Sequence, residues 1–210
     1  MSLWDSVYSS DNSFFGEGPS VLAKESLHFL DESRCKYILE LGCGQGRDAV
    51  FLARNGFNVH AIDFSNVSVS QLRENVRRLE LEGRVNVSQV DLSKELPEIR
   101  KEERIDAVYS NLFYCMPFSD EELKRLFDFV YTILPKGGLH IFSFRDTKRD
   151  QSFQKGKEIA KDTFEINGFS VRFFTEEEIL RFNGDRFRVL QTEEAYEEPC
   201  SLILAFTARK

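Results

Sequence analysis

Apolar residues recur along this chain in two rhythms, and the alternation between them lays out its elements. Val21, Leu22, Leu27 and Leu30 fall at helical spacing after the turn-forming Gly16-Glu17-Gly18-Pro19, which predicts a lead-in helix. Tyr37 to Leu41 is a short apolar run that stops at Gly42, and Ala49 to Ala53 is a helix-favouring run closed by Asn55-Gly56. Strand, tight turn and helix follow one another there. Phe57 to Ile62 alternates and ends on Asp63, after which Val69, Leu72, Val76 and Leu79 mark an amphipathic helix up to Gly83. Val85, Val87 and Val90 predict a third strand before Asp91, and Ile105 to Tyr109 a fourth before Ser110-Asn111; Ser93 to Glu103 between them reads as a short helix or loop.

The second half repeats the rhythm. Ser119-x-x-Glu122 has capping-box form ahead of the stripe Leu123, Leu126, Phe127, Val130 and Leu134, and Lys136-Gly137-Gly138 turns the chain into a fifth strand, Leu139 to Phe144. Thr175-x-x-Glu178 repeats the capping signal before Ile179, Leu180 and Phe182, and Phe187 to Leu190 and Leu202 to Phe206 predict the last two strands. The expectation is an α/β fold, a doubly wound seven-stranded sheet that is mostly parallel, with the final pair antiparallel because no room remains for a helical crossover. Residues 1–210 are expected to form a single domain, with 1–35 as an N-terminal lid and lead-in helix and 145–175 as a substrate-covering segment.

Composition narrows the function. With 41% hydrophobic and 30% charged residues the chain is of ordinary globular make-up, so a packed core is expected. Its 28 Lys plus Arg against 35 Asp plus Glu leave a net charge of −7, which would repel an extended phosphate backbone; a small-molecule partner suits the balance better than nucleic acid. Cys35, Cys43, Cys115 and Cys200 form no C-x-x-C pair, and His28, His60 and His140 lie on a helix or within strands, so neither zinc nor a disulfide framework is signalled. MSLWDSVYSSDNSFF lacks the charged and apolar regions of a signal peptide, and no run of 18 apolar residues occurs; a soluble, cytoplasmic protein is expected.

The chemistry concentrates in ILELGCGQGRD, residues 38–48. Gly42, Gly44 and Gly46 let the chain turn sharply at the end of the first strand, let a ligand approach the main chain, and leave free N–H groups at the helix opening near Arg47. The spacing is not the G-x-G-x-x-G of nicotinamide and flavin sites, since the third glycine comes one residue early and Arg47 stands in its place. That disfavours a pyrophosphate cradle and leaves a nucleoside with a short polar tail. Asp63 ends the second strand about 20 residues past the first glycine, where a carboxylate accepts from ribose hydroxyls, although an acid there also suits a helix cap or turn. Asp91 ends the third strand, positioned to accept an adenine amine with Leu92 covering the ring, or simply to start a loop.

ILELGCGQGRDAVFLARNGFNVHAIDFS, with QVDL at 89–92, IDAVYSNL at 105–112 and LPKGGLHIFSF at 134–144, resembles the class I S-adenosylmethionine-dependent methyltransferases. Within them GCGQGRDAVFLARNGF, the lead-in WDSVYSSDNSFFGEGPS and GFSVRFFTEEEIL are most similar to small-molecule enzymes of the tellurite-resistance type. The resemblance implies S-adenosylmethionine as cofactor and roles for residues. Gly42, Cys43 and Gly44 would line its methionine part, Glu40 would orient the amino group, Asp63 would hold the ribose, and Phe64 would flank the adenine. Asp91 and Leu92 would recognise the adenine, and the Asn111 carbonyl would face the methionine amine.

Methyl transfer from a sulfonium needs a nucleophile held in line behind the carbon, and positioning supplies much of the rate, so no dedicated triad is expected. Tyr8, Phe15, Tyr114 and Arg145 are candidates for the acceptor pocket, the aromatics by shielding the sulfonium and Arg145 by steering an anion. Packing is the competing role for each aromatic, and for Cys115. Two other readings stand beside the small-molecule methyltransferase. One is a macromolecule methyltransferase, for which neither a basic appendage nor an N-P-P-Y-like tetrad is present, Ser110-Asn111-Leu112-Phe113 occupying that place. The other is a non-catalytic cofactor-binding or regulatory protein.

Overall fold

Five residues at Tyr37–Leu41, all apolar but Glu40, make the first strand, β1, buried at every position after the first. The computed structural model to which it belongs describes residues 2–99, 104–150, 152 and 155–210. Contacts divide the chain into two units, Met1–Tyr109 and Ser110–Lys210.

The first unit opens with helices α1 (Leu3–Ser10) and α2 (Val21–Glu32). It continues through β1, α3 (Arg47–Arg54), β2 (Asn58–Asp63), α4 (Asn66–Arg78), β3 (Val85–Gln89) and β4 (Ala107–Ser110). β1 pairs in parallel with β2 on one side and with β4 on the other, and β3 pairs in parallel with β2. The chain therefore winds outward from β1 to β3 and then returns to the far side of β1. The reversal makes the carboxyl end of β1 the switch point at which doubly wound sheets bind ligands. α3 and α4 pack on β2 and β3, and α1 packs on α4.

The second unit holds α5 (Asp120–Ile133), β5 (Leu139–Arg145), α6 (Glu176–Arg181), β9 (Phe187–Glu197) and β10 (Cys200–Arg209). Both predicted capping boxes form: the Ser119 and Thr175 hydroxyls each accept the N–H of the glutamate three residues on, and each glutamate accepts from the cap in return. β10 runs antiparallel to both β5 and β9, so the strand order reads β3-β2-β1-β4-β5-β10-β9. This is the expected seven-stranded sheet.

Two expectations are corrected. Beyond the seven strands, β6 (Lys157–Ala160), β7 (Thr163–Ile166) and β8 (Phe169–Arg172) form a separate antiparallel sheet within the segment read only as a substrate cover. Ile166 pairs with Phe169 across Asn167-Gly168, both at positive φ (51° and 84°), which is a two-residue hairpin turn that Asn-Gly favours. β9 and β10 are 11 and 10 residues long, far beyond the apolar runs that announced them, because β9 is largely exposed and its length comes from main-chain pairing with β10. The stretch after Asp91, expected as a short helix or loop, takes the loop alternative: a turn followed by irregular chain as far as residue 99, while 100–103 lie outside the described residues. No helix among the described residues is long and apolar enough to cross a membrane.

Candidate cofactor-binding site

The turn after β1 requires its glycines for two separate reasons. Gly42, Gly44 and Gly46 have φ of 70°, 51° and 82°, a region that L side chains rarely adopt. A Cβ on Gly46 would also lie 2.1 Å from Leu72 Cδ1, so α4 packs directly on the turn; one on Gly44 would lie 3.1 Å from the Tyr8 hydroxyl oxygen. Within the turn Gly46 N–H donates to the Cys43 carbonyl at 2.9 Å, and Cys43 N–H ties the turn to β2 through the Ile62 carbonyl at 2.9 Å. Gly46 caps α3 without a side chain, its carbonyl accepting the Val50 N–H at 2.9 Å.

Three buried acids surround this turn. Glu40, on β1, is 3% exposed, and its Oε2 has no hydrogen-bond partner among the described residues. Burial, and then the neighbouring Asp48 and Asp63, push its carboxyl well above the usual range. An orphaned carboxyl oxygen in a dry site costs free energy unless a donor or cation meets it. Asp48, in the first turn of α3, is fully engaged instead: it accepts from Ser20 N–H (2.8 Å), the Ser20 hydroxyl (2.7 Å) and the Tyr109 hydroxyl (2.7 Å). This network ties the start of α2 to β4, and the sequence reading missed it; an acid in the first turn of a glycine-capped helix was the available signal.

Asp63 ends β2 as expected, but its carboxylate first serves the main chain. Oδ2 accepts Gly44 N–H at 2.9 Å and Oδ1 accepts Ser65 N–H at 2.9 Å. Burial raises its pKa in spite of those bonds. Asp63 thus staples the glycine turn to the loop after β2, with lone pairs on both oxygens left over. Phe64 is half-buried and its carbonyl accepts from Gln89 Nε2 at 3.1 Å. Cys43 is buried, which holds its thiol far above the usual range.

Asp91 is arranged as a loop starter. Its Oδ1 accepts Ser93 N–H at 3.1 Å and its Oδ2 pairs with Lys94 Nζ at 2.6 Å. Burial pushes its pKa up, but the bonds from Lys94 and Ser93 outweigh it, so the net shift is downward. Leu92 beside it is buried.

The remaining candidates divide between the units. In the first, Tyr8 is 5% exposed and stacks on Trp4 with ring centroids 5.5 Å apart, while Phe15 is 38% exposed and lies under the Arg47 guanidinium at 5.7 Å. In the second, the Asn111 side chain accepts the Ser143 hydroxyl at 2.5 Å, and the next residue, Leu112, takes φ 59°, an uncommon strained state for a bulky side chain. Tyr114 is fully buried among Phe127 and Phe142, with its hydroxyl 3.0 Å from His140 Nε2. That is the packing role, and it leaves Tyr114 no free polar group. Arg145 is 9% exposed, pairs through Nε with Asp150 Oδ2 at 2.7 Å, and lies 4.8 Å from the Phe173 ring centroid. Its N–H donates to Cys115 Sγ at 3.1 Å, so Cys115 is a buried packing thiol, raised by burial to about 12. His140 is likewise pushed down to about 3 by burial.

Residues 38–138, which carry the glycine turn and all three acids, match a family model described as a methyltransferase domain. A protein of Geobacillus sp. (strain WCH70) named as a methyltransferase is 29% identical over 125 residues, 57% of this chain and 47% of that protein. The chain thus spans about half the length of the curated relative it matches. Among solved structures, an S-adenosylmethionine-dependent methyltransferase from Clostridium acetobutylicum ATCC 824 superposes with a TM-score of 0.70 at 16% identity, covering 90% of each chain. TehB from Haemophilus influenzae superposes with a TM-score of 0.65 at 17% identity, over 89% of this chain and 62% of that one. The chain therefore has the fold of the class I, Rossmann-like methyltransferases.

Proposed function

We propose that the protein is an S-adenosylmethionine-dependent methyltransferase that moves a methyl group to a small-molecule acceptor by in-line displacement. The observation that carries this reading is Glu40 Oε2, a buried and orphaned acceptor beside a turn stripped of side chains. An ammonium group is the partner that such an oxygen needs, and the cofactor offers one on its amino-acid end. The donor set fits in other respects. Asp63 retains lone pairs for ribose hydroxyls, and Phe64 offers apolar surface for a base. Asp91 is assigned to the adenine and the Asn111 carbonyl to the amino group on the strength of the family resemblance.

When bound, the cofactor supplies a methyl carbon made electrophilic by its sulfonium. The chain's own contribution is to hold and orient. Glu40 fixes the amino-acid end, and Asp63 fixes the sugar while keeping the turn closed. No side chain is assigned as a base, which suits acceptors that are already nucleophilic, such as thiolates and chalcogen anions. The resemblance to tellurite-resistance enzymes supports testing those acceptors first. Of the acceptor-side candidates, Phe15 and Arg145 are the residues to test, Tyr114 being held in the core by packing and its contact with His140.

Calorimetric titration tests the cofactor: S-adenosylmethionine is expected to bind at micromolar concentration and NAD not at all, and the opposite pattern overturns the proposal. Screening small thiols, amines, oxyanions and chalcogen anions for S-adenosylhomocysteine formation then tests the acceptor class.

A further inference from the structure

Besides Asp63, which accepts the Gly44 N–H, a residue that is neither an acid nor part of the sheet lies against Gly44 from outside the turn. Tyr8 reaches it from α1, with its hydroxyl oxygen 3.1 Å from where a Cβ on Gly44 would stand. Tyr8 as a whole is 5% exposed, and its hydroxyl is not one of the solvent-sealed polar atoms left without a partner. Its position is also built. Gln71 Nε2 on α4 donates to the Tyr8 carbonyl at 2.8 Å, Ser65 donates to Asp5 Oδ1 at 2.6 Å, and Gln45 Nε2, within the glycine turn, donates to the Asp11 carbonyl at 2.7 Å.

The charges around the turn decide what such a hydroxyl can meet. Glu40, Asp48 and Asp63 are acids and cannot receive an anion. Arg47, the nearby base, is turned to the N-terminal segment, its Nη1 donating to the Phe15 carbonyl at 2.5 Å. An amino-acid carboxylate placed here must therefore be held by neutral donors.

On the proposed reading that the turn receives S-adenosylmethionine, the geometry points to Tyr8 as a cofactor-binding residue whose O–H donates to the carboxylate of the methionine moiety. This moves Tyr8 from the acceptor side to the cofactor side. It also makes α1 part of the binding site rather than only a cover. Burial, together with Asp63 and Cys43, holds the phenol protonated far above neutral pH, so it stays a donor.

The test is a binding cycle on Tyr8→Phe, read by calorimetry with S-adenosylhomocysteine and with 5′-methylthioadenosine, which lacks the amino-acid end. Loss of one hydrogen bond to a charged group predicts about ten- to a hundredfold weaker binding of S-adenosylhomocysteine and unchanged binding of 5′-methylthioadenosine. Equal affinity of variant and wild type for S-adenosylhomocysteine overturns the assignment. So does an equal loss for both ligands, which would place the hydroxyl on the nucleoside or make its role purely structural. If the variant does not fold, isotope-labelled tyrosine in the wild type answers the question: the Tyr8 ring-carbon resonance beside the hydroxyl should shift with S-adenosylhomocysteine and not with 5′-methylthioadenosine, and its failure to do so counts against the proposal. Wild-type protein that binds neither ligand would instead refute the cofactor reading itself.

Discussion

A methyl group has no place at position 46, because Leu72 occupies the space where it would go. Gly46→Ala combines that overlap with a φ of 82°, and is expected to destabilise the protein by about 1–3 kcal/mol or more in urea unfolding. The glycine pattern was visible in the sequence; the reason Gly46 in particular is needed was not, since Leu72 is 26 residues away and only folding brings it there. Asp63 teaches a similar lesson. It was legible as the acid at the end of the second strand, yet its first task is to accept the N–H groups of Gly44 and Ser65. Asp63→Ala should therefore do two things at once: lower stability, since two buried N–H groups lose their acceptor at about 1–3 kcal/mol each, and weaken cofactor binding about ten- to a hundredfold. Calorimetry and thermal unfolding on the same variant separate the two effects. Unchanged affinity in a folded variant removes Asp63 from the site.

At the scale of elements, the N-terminal helix was not foreseen as a helix. Its capping box, Ser2 with Asp5, is as formal as those of α5 and α6, but the apolar stripe behind it is short and aromatic, which helical periodicity detects poorly. Gln71 is one of its fastenings, donating to the Tyr8 carbonyl and, at 3.0 Å, to Asn12 Oδ1. Gln71→Ala should raise amide hydrogen exchange across Leu3–Ser10 while leaving exchange in β1 and β2 unchanged; uniform protection in the variant would show that α1 is held by packing alone. The small β6-β7-β8 sheet escaped notice for the opposite reason. Its strands are four residues each and β6 is exposed throughout, so burial left no alternating pattern, and only Asn167-Gly168 announced it. Gly168→Val, at φ 84°, is expected to open that hairpin, with loss of slowly exchanging amides in β7 and β8 as the readout.

For the molecule as a whole, the buried acids set the pH behaviour. Glu40 is held above its ordinary value of 4.5 by burial, then by Asp48 and Asp63, and Asp63 is raised by burial as well. A folded state that keeps protons the unfolded chain releases loses stability as pH rises from that ordinary value through the raised one. Asp120 and Glu178 work in the other direction: the Arg172 hydrogen bond on Asp120 and the Thr175 N–H on Glu178 hold them low, and their contribution is lost as pH falls below the carboxylate range. The unliganded protein is therefore expected to be most stable in mild acid and to decline toward neutral pH, and Glu40→Gln to flatten that decline. Melting temperatures across pH 5 to 8, with and without S-adenosylmethionine, measure this; a variant with the wild-type slope would place the linked proton elsewhere.

The sequence by itself determined the seven strands of the main sheet and the helices from α2 to α6, both capping boxes on the later helices, the antiparallel final pair and the glycine turn with its acids at the strand ends. These are local: periodicity, caps and turns are written in residues a few positions apart. Tertiary structure alone decided which acids are occupied and which one is left open. Asp48 and Asp63 are satisfied by Ser20, Tyr109, Gly44 and Ser65, and Glu40 keeps a bare oxygen, because hydrogen-bond partners in a buried site come from segments far apart in the chain. The same long-range packing carried Tyr8 to Gly44, 36 positions along the chain, where no spacing rule could have put it.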